Sequence, residues 1–83
     1  MAYSISYKRS VAKDLKHISK QDKNRILDRV EQALSSDPYR YPQLKGDYAG
    51  LRRLRVGNYR VIYAITAMDV LVLRIGHRQD VYR

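Results

Sequence analysis

The dipeptide Gly57-Asn58 limits the possible folds of this chain more than any other feature of its sequence. It separates two segments, Leu51–Val56 and Tyr59–Thr66, that are rich in β-branched and aromatic residues. A Gly-Asn pair between two such segments is typical of a two-residue β-hairpin turn. We therefore predict an antiparallel hairpin in which Val56 faces Tyr59 across the strands.

Two further strands are indicated near the ends of the chain. Residues 3–7 alternate Tyr or Ile with Ser, a pattern typical of a half-buried strand. After a predicted tight turn at Met68-Asp69, the apolar segment Val70–Ile75 is expected to complete a β-meander. Segment 38–50 contains two Pro, two Gly and three Tyr and is expected to be a connecting loop.

Two successive helices are predicted between the first strand and this loop. Ser10 is expected to cap a short helix, and Ser19 a longer one through a capping-box pattern with Asp22. Pro38 ends the second helix, because proline disfavours the helical conformation of the residue before it. The apolar residues that follow helical spacing are Val11, Leu15, Ile18, Ile26, Leu27, Val30, Ala33 and Leu34.

These elements predict one α+β domain over residues 1–83, because a chain of 83 residues holds one modest core. The order is βααβββ, with an N-terminal strand and a helical hairpin packed on an antiparallel sheet.

The absence of Cys excludes disulfides and thiolate metal sites. No segment has the apolar length of a membrane span or the pattern of a signal peptide, so we expect a cytoplasmic protein without membrane association.

The charge balance favours a polyanionic partner. Seventeen Lys and Arg against eight Asp and Glu give a formal net charge of +9. Such a field attracts nucleic acid, the ribosome or an acidic protein. The alternative is a basic surface that serves only solubility.

The predicted hairpin gathers arginines on one face. Arg55 would face Arg60 across the strands, and Arg53 lies on the same side, two residues from Arg55. Like charges opposite each other destabilise a sheet, so this face calls for an anion, and phosphate suits the planar guanidinium. A solvated surface, or pairing with distant acids, is the alternative. Arg52 falls on the opposite, core-facing side near the strand start.

The chain end offers groups that could transfer protons. In the simplest register His77 pairs with Arg60, while Arg78 points to the other face unless a bulge at Gly76 restores it. Residues 77–83 contain the imidazole of His77, a side chain type that titrates near neutral pH, two arginines, and the phenol of Tyr82. A single His or Tyr is more often structural, but the position beside the arginines favours a catalytic role.

Two segments carry a resemblance to a known family: residues 42–63, PQLKGDYAGLRRLRVGNYRVIY, and residues 75–83, IGHRQDVYR. Their motifs, in this order and spacing, resemble the RelE/ParE superfamily of toxins, and the RelE branch in particular. The resemblance implies a RelE-like fold and a toxin that cuts messenger RNA in the ribosomal A site. It also implies silencing by a cognate RelB-like antitoxin. The absence of Cys and the scarcity of plausible carboxylate clusters argue against a bound metal, and no other cofactor is expected.

The resemblance also implies site residues. Arg53 and Arg60 would hold the phosphate, Tyr82 would act as base, and His77 would be an alternative acid. Arg78 would stabilise the leaving oxygen. Further phosphate contacts are expected from Lys45, Arg52 and Arg55. The sequence departs from the family pattern in having Arg53 where Lys is usual, apolar Leu51 at another lysine position, and His77 at a basic position.

Two other functions remain open. A ParE-like toxin would share the fold but inhibit DNA gyrase by binding, and a plain nucleic-acid-binding module would need only the charge. The loop tyrosines Tyr39, Tyr41 and Tyr48 could stack on unpaired bases, although loop tyrosines more often cover the edges of a core, which is the role favoured here.

Overall fold

The protein is described from a computed structural model, which defines residues 2–77. The strands and helices follow the predicted order. They are β1 (Ser4–Tyr7), α1 (Arg9–Leu15), α2 (Lys20–Ser36), β2 (Arg52–Val56), β3 (Tyr59–Thr66) and β4 (Asp69–His77). Two short 3₁₀ turns, Pro38–Arg40 and Gly46–Tyr48, interrupt the loop between α2 and β2.

The four strands form one sheet in the order β1-β4-β3-β2. The meander β2-β3-β4 is antiparallel, as predicted, whereas β1 lies parallel to β4. The sheet is therefore mixed. The predicted α+β class is confirmed, with two helices packed on a four-stranded sheet.

The main core lies between the helices and one face of the sheet. Its buried residues are Val11, Ile26, Val30, Ala33, Leu34, Leu54, Val56, Val61, Tyr63, Val70, Val72 and Ile75. This face is called the helix face below, and the opposite face the outer face. On the outer face a small second cluster joins Leu44 of the loop to Ile62 of β3, with Leu51 packed against them.

The helix ends agree only in part with the sequence predictions. Ser19 caps α2 as predicted, its hydroxyl accepting a hydrogen bond from the Asp22 N–H at 3.2 Å. Ser10 does not cap α1; its hydroxyl instead donates to the Leu73 carbonyl at 2.6 Å, and Lys8 occupies the cap position without a side-chain bond. A nearby strand thus provides a better partner for Ser10 than its own helix.

The first hairpin has the predicted register. Val56 pairs with Tyr59 and Arg55 with Arg60, and Gly57 has φ +59°, a left-handed conformation that glycine adopts without a steric penalty. The second turn was predicted one residue too late. Thr66 pairs with Asp69, so residues 67 and 68 form the turn.

A bulge in β4 changes the rest of the second hairpin. Tyr63 pairs with Val72 but Ile62 pairs with Arg74, so Leu73 is the extra residue. The bulge lets β4 continue its apolar side into Ile75, which is buried in the core. The predicted pairing of Arg60 with His77 is therefore wrong, and the bulge lies at Leu73, not at Gly76, the position that the sequence analysis left open.

Helix α1 covers the edge of β4 where β1 ends. The Asp14 carboxylate accepts the Ile75 N–H at 3.0 Å and two hydrogen bonds from the Arg74 guanidinium, at 2.9 and 3.1 Å. Ser10 satisfies the Leu73 carbonyl on the same edge. An unpaired strand edge exposes N–H and C=O groups that can pair with another chain. These side chains bind such groups on β4 beyond the end of β1. No helix in the described part of the chain has the length and apolarity to cross a membrane.

Candidate functional site

Three arginines lie on the outer face of the β2–β3 hairpin. Arg55 is directly opposite Arg60, and Arg53 is opposite Ile62 in the same ladder. Arg53 and Arg55 are exposed and Arg60 is partly buried. The sequence prediction that this hairpin concentrates guanidinium groups on one face is confirmed.

The loop before β2 turns this face into a groove. Lys45 and Tyr48 line a cavity of about 490 Å³ together with Arg53 and Arg60. Its remaining lining residues are Pro42, Gln43 and Leu44. We call this cavity the arginine groove. Its volume falls within the roughly 300–1,000 Å³ of typical ligand sites.

Packing and backbone bonds fix the loop that forms this groove. Leu44 is buried against Ile62, and its N–H donates to the Leu51 carbonyl at 2.8 Å. Gly46 and Gly50, on either side of Tyr48, have φ +67° and +91°, values that L side chains rarely adopt. The loop is therefore a defined part of the site and not a random connection.

The exposed arginines of the outer face, Arg53 and Arg55, differ in their partners from Arg25 and Arg74. The two salt bridges between described residues are Asp22–Arg25 and Asp14–Arg74, and neither Arg53 nor Arg55 takes part. Arg55 donates one hydrogen bond, from Nε to the Gly57 carbonyl at 3.1 Å. Its charge is not neutralised by that contact, so this face retains a field that attracts phosphate.

Arg52 lies on the helix face, away from the groove. Its guanidinium donates to the carbonyls of Tyr39 and Tyr41 at 3.1 and 2.6 Å and lies 5.2 Å from the centre of the Tyr39 ring. The side chain thus joins the loop to the sheet. The structure does not bring Arg52 together with the other predicted phosphate contacts.

His77 also lies on the helix face. It pairs with Tyr59, and the two rings meet edge to face with centroids 5.9 Å apart. Gly76, not His77, is opposite Arg60. His77 instead lines a separate cavity of about 300 Å³ that includes Asp14, His17 and Tyr59.

Phenols on the helix face are held in the protonated form. The hydrogen bond that Tyr59 donates to Asp22 at 3.0 Å raises its pKa. Burial, followed by the neighbouring Glu31 carboxylate, raises the pKa of Tyr7 to about 12. Both phenols are poor candidates for a general base at neutral pH.

Two predicted site residues, Arg78 and Tyr82, lie outside the described residues. Within residues 2–77, no group of three or more His, Cys, Asp or Glu side chains could hold a metal ion. The described part of the site therefore consists of Lys45, Arg53, Arg55, Arg60 and the ring of Tyr48. The sequence placed Arg53, Arg55 and Arg60 on one face correctly. It offered Tyr48 as a residue that could stack on bases, but favoured a core-covering role for it.

Comparison with known proteins places this geometry in a family. The sequence profile of the ParE toxin of type II toxin-antitoxin systems, parDE, matches residues 5–82. Toxin RelG of Mycobacterium tuberculosis is 29% identical over 86 aligned positions, covering 100% of this chain and 99% of RelG. Toxin RelE3 of Methanocaldococcus jannaschii is 28% identical, covering 94% of this chain and 93% of that toxin.

Solved structures agree. The toxin-antitoxin complex RelBE2 of Mycobacterium tuberculosis contains a chain with a TM-score of 0.83 and 26% identity, covering 94% of this chain and 100% of that one. A doubly substituted variant of the E. coli RelE toxin in the free state is 16% identical with a TM-score of 0.78 and shares the fold. The match covers 99% of this chain and 90% of that one. The chain therefore belongs to the RelE/ParE superfamily of toxins of type II toxin-antitoxin systems.

Proposed function

We propose that this toxin is a metal-independent endoribonuclease that cuts messenger RNA in the ribosomal A site in the cytoplasm and so stops translation. The observation that carries the proposal is the arginine groove, where Lys45, Arg53 and Arg60 line one cavity. The similarity to toxins named RelG and RelE3 supports the RelE branch.

The proposed reaction is attack of an RNA 2′-hydroxyl on the adjacent phosphorus, with expulsion of the 5′-oxygen. The products are a 2′,3′-cyclic phosphate and a 5′-hydroxyl. Arg53 and Arg60 bind the phosphoryl oxygens and stabilise the charge that grows on them in the transition state. Arg55 and Lys45 add to the field, while Arg52, with its carbonyl partners, is not assigned a contact to phosphate.

Proton transfer is assigned to the chain end. Tyr82 takes the proton of the 2′-hydroxyl, and Arg78 stabilises the leaving oxygen. These two roles rest on the family resemblance, because both residues lie outside the described part of the chain. His77 remains the alternative acid, adjacent to Gly76, which pairs with Arg60.

The test is induced expression of the toxin with single substitutions. Arg60→Ala and Tyr82→Phe are each expected to restore growth and to abolish cleavage of ribosome-bound transcripts. Arg9→Ala, at the exposed start of α1, is the control. It lowers the net charge by the same amount as Arg60→Ala and should leave toxicity unchanged. Full growth inhibition and cleavage by both site variants would contradict the assignment.

A second candidate function follows from the family profile, which is that of the parDE toxin. A ParE-like toxin would inhibit DNA gyrase by binding and would need no catalytic residue. Purified toxin incubated separately with gyrase and with translating ribosomes distinguishes the two. Loss of supercoiling with intact transcripts would favour the ParE-like function.

We also propose a cognate RelB-like antitoxin as a partner. RelB–RelE complexes are known for the toxins of Methanococcus jannaschii and E. coli, which have this fold. A net charge of +9 suits an antitoxin with acidic segments. Co-expression of the protein encoded beside the toxin should restore growth and yield a complex that copurifies; failure of both would contradict this partner.

A further inference from the structure

The three tyrosines of the loop before β2 differ in their surroundings. The Tyr39 ring meets Tyr3 edge to face, with centroids 6.3 Å apart, and lies under the Arg52 guanidinium. Tyr41 is partly buried and packs against the main core. Tyr41 therefore covers the edge of the core, as the sequence analysis favoured for all three, while exposed Tyr39 packs on Tyr3 and Arg52.

Tyr48 has a different position. It lies on the outer side of the molecule, where it lines the arginine groove with Lys45, Arg53 and Arg60, and 42% of its surface is exposed. A flat aromatic ring next to several cations is the combination that binds single-stranded nucleic acid, because bases stack on the ring while the cations bind phosphates. Tyr48 is therefore a groove-lining residue, a position that the sequence analysis did not favour for it.

The backbone holds Tyr48 in place before any ligand arrives. Tyr48 is the last residue of a 3₁₀ turn. Its N–H donates to the Lys45 carbonyl at 3.4 Å, and its carbonyl accepts the Leu51 N–H at 3.1 Å. The left-handed glycines Gly46 and Gly50 set the direction of the chain on either side. A backbone that is already ordered loses little conformational entropy on binding, which favours the use of Tyr48 as a recognition element.

We infer that Tyr48 stacks on an unpaired base of the RNA, beside the phosphate bound by Arg53 and Arg60. Tyr48 is then a specificity-determining residue, which selects a single-stranded RNA segment whose base can lie flat on the ring. The identification of RNA as the ligand rests on the proposed function. The stacking itself rests on the position and exposure of the ring in the groove.

The test measures binding without cleavage, so that it does not depend on catalysis. A short unstructured 2′-O-methyl oligoribonucleotide is titrated into the purified toxin and its variants, in parallel with the same backbone carrying abasic sites. Tyr48→Ala is expected to weaken binding of the base-containing strand by ~5–150-fold, the range that corresponds to one stacked base. Tyr48→Phe should bind as the wild type does, and the abasic strand should bind wild type and Tyr48→Ala equally.

Tyr39→Ala is the matched control, since it removes another exposed loop tyrosine outside the groove, and far-UV circular dichroism checks that each variant is folded. Equal binding of the base-containing strand by wild type and Tyr48→Ala would overturn the inference. Equal losses for the base-containing and abasic strands would also overturn it, because the effect would not involve a base. Tighter binding of single-stranded DNA of the same sequence, dependent on Tyr48, would overturn the choice of RNA.

The same titration separates this inference from the proposed ribonuclease function. Base-dependent binding through Tyr48 by a wild-type toxin that leaves ribosome-bound transcripts intact would support stacking and contradict the nuclease. If the wild-type toxin cleaves transcripts, and Tyr48→Ala binds and cleaves RNA as the wild type does, the result would support the nuclease and contradict stacking.

Discussion

Arg52 and Arg53 are adjacent on β2 and lie on opposite faces of the same sheet. Arg52 faces the helices, where two main-chain carbonyls and an aromatic ring surround its guanidinium. Arg53 faces outward and lines the arginine groove, without a salt bridge to a described acid. The difference shows that two adjacent arginines can have different partners: Arg52 joins the loop to the sheet, whereas Arg53 lines the groove that the proposed function assigns to phosphate binding.

The largest expected effect is on the rate of transcript cleavage, and it distinguishes the outer face from the helix face. Arg53→Ala should lower the rate of transcript cleavage by ~10²–10³-fold, because the proposed function assigns to this group the stabilisation of charge in the transition state. The free energy of unfolding should change by less than about 0.5 kcal/mol, since the side chain is exposed. Ribosome-bound cleavage assays and urea denaturation of the same preparation measure both quantities. A large loss of stability with full activity would reverse the roles assigned to the two arginines.

Arg52→Ala should have the complementary effect. Loss of the two hydrogen bonds to the Tyr39 and Tyr41 carbonyls is expected to lower the free energy of unfolding by about 1–3 kcal/mol. Cleavage per folded molecule should stay close to that of the wild type. Denaturation with urea gives the first value, and activity normalised to folded protein gives the second. An unchanged unfolding midpoint would show that these contacts do not stabilise the fold.

Arg74 extends the comparison to a second arginine that has a protein partner. Asp14→Asn keeps one acceptor oxygen but loses the charged pair with Arg74, so we expect a loss of about 1 kcal/mol. Asp14→Ala should cost more, because the Ile75 N–H at the edge of β4 also loses its acceptor. Thermal unfolding of the two variants side by side measures the order. Equal stability of Ala and Asn variants would mean that the edge contact contributes nothing.

The smallest expected effect is on the pH dependence of the free energy of unfolding, through a tyrosine on the helix face. Burial raises the pKa of Tyr7 from 10 in the unfolded chain to about 12 in the folded protein. Between these values the unfolded chain loses the proton that the folded protein keeps, so the free energy of unfolding falls as pH rises. Tyr7→Phe should show a weaker fall between pH 10 and 12, measured by urea unfolding at each pH. An identical slope in wild type and variant would rule out this contribution.

Local sequence signals were sufficient where one turn determines a register. Gly57 and Asn58 gave the pairing of β2 with β3, and hence the face that carries Arg53 and Arg60. The second turn was missed by one residue because Ala67 adopts φ +54°, a conformation for which alanine gives no signal in the sequence.

Tertiary contacts account for the rest. The bulge at Leu73 is stabilised by Ser10 and Asp14 of α1, which bind the edge of β4 more than sixty residues away. No local pattern reports such contacts, and for this reason the position of His77 was predicted wrongly. Tyr48 reaches the groove through the packing of Leu44 on Ile62, a contact that is also not visible in the local sequence.

The end groups of the cleaved transcript test the central claim most directly. Wild-type toxin added to ribosomes with a defined messenger in the A site should yield a 5′ fragment that ends in a 2′,3′-cyclic phosphate and a 3′ fragment with a 5′-hydroxyl. Arg53→Ala should slow this reaction, and folded Arg52→Ala should not. Intact messenger in the presence of a toxin preparation that arrests growth when expressed would contradict the account.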